Sequence, residues 1–457
     1  MSDNANSPSE KYFNAQDASV DKLKITTASG QVIDVKYLLI ELSYYEDIYN
    51  FVTSGYMLLR DAVGLIEKYQ LTGRETVELS FGKVSDINRK SQTFRLYSIP
   101  TKNPVGNLTS EFIKLHFCSE ELLLSEQTKV TQAFRGTKIS DIIRSVLVNN
   151  LKVDAKIKPL IIQDTTGVYD FNIPTINPLE TISWLSTYAR PAANGLIGAD
   201  MLFFETKNGF NFKSLGTLYS EPIYKTYKYQ LQNIVDIDDP ASQSVVSILD
   251  YEFIRTFDNL NDISSGTFSN RLISIDPLTR TRTVTDFDYS KYKGASLNEG
   301  SVLNTNQNRL GKTQSQSYEG TLKLAVGNSN QTTNKNIESG TIKPGSVGKD
   351  IFIETFVPNR TSQISLANHT LVKIKIPGDA GITAGRTVDF NLQSIANSGT
   401  GQLDQLYSGK YLVTAVRHIL QSQGVFQTVL ELAKDSTPVQ VGSFKYNDGV
   451  PQQGTFA

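Results

Sequence analysis

The chain has 457 residues, enough for two to four domains, and its 39% hydrophobic and 20% charged residues exclude a wholly disordered protein. Its 45 Lys and Arg balance 46 Asp and Glu without a basic run, which excludes the charge excess of a dedicated nucleic-acid-binding surface. A single cysteine excludes an intrachain disulfide framework, and no apolar run reaches the roughly 18–20 residues of a spanning helix; the expectation is a protein with no membrane anchor, folded in a reducing cytosol.

Residues 1–20 are polar, lack the basic-then-apolar pattern of a signal peptide, and read as a tail. Strand-like runs follow: KLKITT, QVIDVKYLLIEL, GYMLLRD, ETVELSF, QTFRLYSI and SEFIKLHFC, with one short helix between Asp61 and Gln70. Beyond Gln127 the period changes. Ile139, Ile142, Ile143, Val146 and Leu147 line one helical face. A second helix has Asn177 as cap, Pro178 in its first turn, Glu180 at the capping-box position and Pro191 as its stop. The chain then returns to β, with a hairpin at Asn208–Gly209 and further strands to Tyr289. Residues 294–350 are rich in Asn, Gln, Ser, Thr and Gly and read as a loop or excursion; Phe352 to Asp435 reads as β, and residues 437–457 as a tail.

Two segments echo each other. Gly73 precedes a strand carrying Val77 and Leu79, and Gly385 precedes one carrying Val388 and Phe390. Each is followed by two more β runs. The first pair holds Phe94, Leu96, Phe112 and Leu115. The second is a hairpin holding Tyr411, Val413, Phe426, Val429 and Leu430, interrupted by Arg417, His418, Gln427 and Glu431. The order of elements points to duplication of a whole domain, with chance recurrence of a Gly-Arg turn as the alternative.

Chemistry is sparse. His116 and Cys118 share a strand face but fall short of the four ligands of a structural zinc, so core or surface filling is expected. The stretch Leu310–Thr313 resembles the end of a phosphate loop, but Asn306 stands where that loop needs glycine. The adjacent acids Glu120–Glu121 and Asp238–Asp239 would diverge in a strand and solvate in a loop. Sequons at Asn107, Asn330, Asn359 and Asn368 matter only on a secretory route. No catalytic residue, metal or cofactor is predicted.

The segments SGKYLVTAVRHIL, VFQTVLELAKDS and GITAGRTVDFNL resemble the terminal hairpin, and the strand before it, of baseplate hub proteins from contractile-tailed bacteriophages. IELSYYEDIYNFVTSGYMLLRD with LTGRETVELSF is similar to that family's first tube-like domain, and the two helical segments to its insertion. The resemblance implies a mostly β chain with an α+β insertion: two tail-tube-like β-barrel or sandwich domains related by internal duplication, and a helix-containing middle domain. The implied divisions are a first tube-like domain at 21–127, a helical insertion at 128–199, a shared β region at 200–293, the polar excursion at 294–350 and a second tube-like domain at 351–436.

The resemblance further implies a structural, non-enzymatic homotrimer in the virion, assembled in the host cytoplasm. Its pseudo-hexameric ring would join a trimeric central spike to a hexameric tail tube and nucleate tube assembly. Tail tube protein or tube initiator, tape measure protein and baseplate wedge proteins would be its other partners, with no specific nucleic acid bound. Alternatives are a tail-associated cell-wall hydrolase, a receptor- or carbohydrate-binding baseplate protein, and a spike-complex protein of a contractile secretion system. Ring contacts are expected on the two hairpins: Phe94, Leu96, Phe112, Leu115, Tyr411, Val413, Arg417, Phe426, Val429, Leu430 and Glu431. Glutamate at Val429 or Leu430, whichever faces a neighbour, is expected to block assembly.

Overall fold

The structure is a computed structural model that describes residues 18–83, 91–105, 110–192, 199–229, 247–276, 280–292, 294–303, 305–326, 353–395, 402–422 and 424–439. The first module runs through β1 (Ala18–Thr26), β2 (Val32–Asp34), β3 (Leu39–Asp47), β4 (Ser54–Asp61), α1 (Leu65–Tyr69), β5 (Thr76–Lys83), β6 (Gln92–Val105) and β7 (Ser110–Cys118). Its strands alternate as a half-buried sheet requires. Leu42 and Tyr44 of β3, Met57 and Leu59 of β4, and Leu115 and Phe117 of β7 fill one core.

The middle region comprises α2 (Glu120–Gln127), β8 (Ala133–Thr137), α3 (Ile139–Ser145), β9 (Leu160–Ile162), β10 (Tyr169–Asn172), α4 (Pro178–Ser186), β11 (Met201–Thr206), β12 (Gly209–Ser214) and α5 (Leu215–Tyr219). The stripe Ile139, Ile142, Ile143, Val146 and Leu147 packs on Leu179, Ile182 and Leu185 of α4. The capping box of Asn177 and Glu180 forms as expected. In the β11–β12 hairpin Thr206 pairs with Gly209, so the two-residue turn is Lys207–Asn208, one position earlier than expected. Gly209 is needed there because a Cβ would lie 2.2 Å from the Pro159 carbonyl oxygen.

The second module begins with β13 (Ile223–Tyr229) and β14 (Asp250–Arg255). The chain then leaves through α6 (Asn259–Ser265), β15 (Ser269–Asp276), β16 (Thr281–Asp288), β17 (Leu322–Val326) and α7 (Val357–Ala367). It returns as β18 (Thr370–Pro377), β19 (Thr387–Leu392), β20 (Gly409–Gln421) and β21 (Phe426–Lys434). Two expectations are corrected here. The polar stretch contributes β17 to a small sheet with β15 and β16, and the region taken as wholly β opens with α7. Helix α7 has no clean apolar stripe; Pro358 in its first turn and the burial of Ser362 and Leu366 hold it.

The echo seen in the letters is a repeat of pairing. In the first module the strands lie in the order β3-β4-β7-β6-β5, and in the second β14-β18-β21-β20-β19. The registers correspond: Val77 faces Phe94 and Val388 faces Tyr411, while Leu96 faces Phe117 and Val413 faces Leu432. Both ladders then slip by one residue, after Leu96 in β6 and after Val413 in β20. A shared bulge at one register position is a designed feature of a strand and hard to attribute to chance. Gly73 and Gly385 both sit in the left-handed region, at φ 89° and 82°, where their turns need glycine.

The two modules share one 13-stranded sheet because β20 also pairs with β3, from Ala415–Asp47 to Gln421–Glu41. This joint answers what covers the apolar terminal hairpin. Its base, with Tyr411, Val413, Val416, Leu430 and Leu432, fills the second module's core. Its tip, with Leu420 and Phe426, enters the core of the first.

Candidate functional site: the open sheet face and the sheet edges

One face of the long sheet packs into the buried cores; the other, the open face, is mostly half-buried and mixes polar, aromatic and aliphatic side chains. At the module joint, the open face carries a network across β20, β3 and β4. Arg417 donates to Ser43 Oγ at 3.2 and 3.1 Å and to the Tyr56 hydroxyl at 3.0 Å, and lies 3.5 Å from Glu41 Oε1. Tyr56 donates to the same Glu41 oxygen at 2.5 Å. The guanidinium lies 5.5 Å from the Tyr45 ring centre, and Lys114 stands 3.9 Å above the Tyr56 ring. Strand alternation puts Glu252, Lys373 and Glu431 on the same face, directly opposed across β14, β18 and β21. Mixed charge on a wet sheet face suits a passage or a polar interface better than a site that grips one sign of charge.

Beneath the sheet, two buried carboxylates pin the middle region to both modules. Glu46 of β3 accepts from the backbone N–H of Lys207 at 2.7 Å and of Ala384 at 3.0 Å, and from the Tyr44 hydroxyl at 3.2 Å. Burial pushes its carboxyl up to about 7, against the pull of those donors. Glu205 of β11 accepts from the Thr53 N–H and hydroxyl and from Ser119 Oγ, and pairs with Lys158 at 2.8 Å. Lys158 also pairs with Glu121 at 2.6 Å, so the acidic pair Glu120–Glu121, expected in a strand or a solvated loop, sits on α2 with Glu121 buried in an ion-pair cluster. These anchors were not found from the sequence. Lone acids in strands carry no local signal of the distant N–H groups they accept from.

The predicted site residues divide. Phe94, Leu96, Leu115, Tyr411, Val413, Phe426 and Leu430 are buried in the chain's own cores, which corrects their expected role at a ring contact. Phe112, Arg417, Val429 and Glu431 lie half-buried on the open face. The terminal hairpin offers no edge either, since β20 is flanked by β3 and β21 by β18. Gly73, Val77, Leu79, Gly385, Val388 and Phe390 hold equivalent places in the two modules.

His116 stacks on Tyr56 on the open face, and the Cys118 thiol is pushed up to about 11 by burial and the neighbouring Glu205 and Glu121. Among the described residues no three His, Cys, Asp or Glu gather as metal ligands. A cavity of about 360 Å³ between the middle region and the second module is lined by Asp200, Tyr219, Tyr289, Tyr292 and Asp435. Burial raises the carboxyls of Asp200, to about 6, and of Asp435, which accepts from the neighbouring Ser436 hydroxyl at 2.6 Å. Trp184 lies on α4 against Phe171. Asp238–Asp239, Asn107 and Asn330 lie outside the described residues.

The fold is that of phage tail proteins. The chain superposes on a tail protein from Neisseria meningitidis MC58 with a TM-score of 0.52 at 10% identity, covering 91% of this chain and 96% of that one. It also superposes on the 43 kDa tail protein of prophage MuSo2 from Shewanella oneidensis, with a TM-score of 0.50 at 8% identity, covering 91% and 98%. No protein-family model matches the chain. In sequence, it is 24% identical over 416 residues to the "Probable baseplate hub protein gp334" of Vibrio phage KVP40, covering 87% of this chain and 89% of that protein. The resemblance drawn from the residues is borne out: the chain is similar in sequence to a baseplate hub protein and in fold to tail proteins.

Proposed function

We propose that the protein is a structural hub in the virion tail baseplate, a homotrimer whose two tube-like modules per chain make a pseudo-hexameric ring. The carrying observation is the repeat of one strand pairing, bulge included, within one sheet. A trimer that presents six similar modules can meet a threefold spike on one side and a sixfold tube on the other. The ring nucleates the tube, and its partners are the central spike, the tube protein or its initiator, the tape measure and the wedge proteins. The lumen passes the genome without specific nucleic-acid contacts, and assembly takes place in the host cytoplasm. The role is non-enzymatic, carried by buried interface area. Native mass spectrometry of the full chain tests this. A trimer is expected; a stable monomer or hexamer overturns it.

A further inference from the structure

We infer that the ring closes by strand addition between copies, with the outer edge of β14 pairing antiparallel to the second half of β6 of the next chain. This rests on the trimeric reading above and says which edges carry it.

The joint inside the chain is the template. There β3, the first strand of one module's five-strand order, pairs with the second half of β20, beyond the bulge. The repeat makes β14 the counterpart of β3 and β6 the counterpart of β20. Both counterparts have a side without a partner strand. Among the described residues β14 pairs only with β18, and β6 beyond Leu96, whose N–H still donates to the Glu75 carbonyl, pairs only with β7. An open row of N–H and C=O groups of this length is a template for another strand.

The surroundings differ as a vacated joint should. At the inner joint Leu42, Tyr44, Glu46, Val416, His418 and Leu420 are all buried. On β14 no residue is fully buried, and Ile254 is 52% exposed. Phe257 and Leu260, just beyond β14, are 47% and 83% exposed, and Tyr97 at the β6 bulge is 47% exposed. Exposed apolar side chains thus stand at both edges that the template leaves over.

The template also sets the register. Tyr44 opposes His418 and Ser43 opposes Ile419 at the inner joint. Through the ladders with β7 and β21, Lys102 stands for His418 and Asn103 for Ile419. Through those with β4 and β18, Phe253 stands for Tyr44 and Glu252 for Ser43. Between copies, Phe253 therefore opposes Lys102 and Glu252 opposes Asn103. The contact is head-to-tail, so it closes only as a ring.

Cysteine cross-linking of the full chain tests the register. Asn103 and Glu252 are exposed, and the one natural cysteine, Cys118, is buried, so background is low. The variant Asn103→Cys with Glu252→Cys, mildly oxidised, should run as a covalent trimer on non-reducing denaturing gels and revert with thiol. The slipped pair Asn103→Cys with Asp250→Cys should cross-link about tenfold less, since its Cβ atoms lie beyond disulfide reach. Separately, Ile254→Asp should lower the trimer fraction about tenfold while leaving the circular dichroism spectrum unchanged. A trimer by native mass spectrometry with no preference for the predicted pair overturns the edge assignment and leaves the ring standing. A monomer without cross-links overturns both.

Discussion

At the module joint, single side chains are held in states they would not keep in water. His418 is fully buried against Tyr44, with ring centres 6.0 Å apart, and Nδ1 lies 3.0 Å from Thr428 Oγ1. Burial, helped by the charge of Lys207, depresses its pKa to about 3. Below its ordinary value near 6.5 only the unfolded chain takes up the proton, so stability is lost as pH falls toward 3. From pH 6.5 to 4.5 the natural chain should lose about 2 kcal/mol more than His418→Phe, read from urea melts by Trp184 fluorescence. Parallel pH curves would refute this. Glu46 has the opposite sign. Its folded pKa of about 7 lies above the ordinary 4.5, so its contribution is full below 4.5 and fades as pH rises through 7. The advantage of the natural chain over Glu46→Gln should therefore shrink by about 2–3 kcal/mol from pH 5 to pH 8 in the same melts.

Among the elements, the β20–β21 hairpin couples the two cores. Phe426→Ala should cost about 3–5 kcal/mol, with amide exchange accelerating in β3 of the first module as well as in β18 of the second. Acceleration confined to the second module would contradict the shared core. The two repeat glycines should differ. A Cβ at Gly73 meets nothing nearer than 3.9 Å, so Gly73→Ala should cost only about 1–2 kcal/mol of backbone strain. At Gly385 a Cβ would stand 2.9 Å from the Phe204 ring, so Gly385→Ala should cost more, by about 1–3 kcal/mol, in thermal or urea melts. Strands β3 to β7 and helices α3 and α4 are legible in the sequence because periodicity and caps are local signals. Helices α2 and α7 were missed: α2 follows directly on β7 after Ser119, and α7 has polar residues where a stripe would be.

Across the whole molecule, partner surfaces are decided by which edges remain free. Val429 faces the open side of an interior strand, two strands from β14, and Leu430 faces the core. Val429→Glu should therefore leave folding and oligomeric state unchanged in native mass spectrometry, where the hairpin reading of the sequence expected a block. A monomeric Val429→Glu chain would place the contact on the open face.

Alternation within each strand, the cap of α4 and the Gly-Arg-strand pattern that occurs twice are legible in the residues, because each copy of each pattern spans only a few neighbours. Only the tertiary structure decided that β20 joins β3, that Glu46 and Glu205 bind distant backbone groups, and that the apolar hairpin lies inside the sheet rather than at its rim. The physical reason is that alternation states how many faces a strand buries, and says nothing of which strand lies beside it.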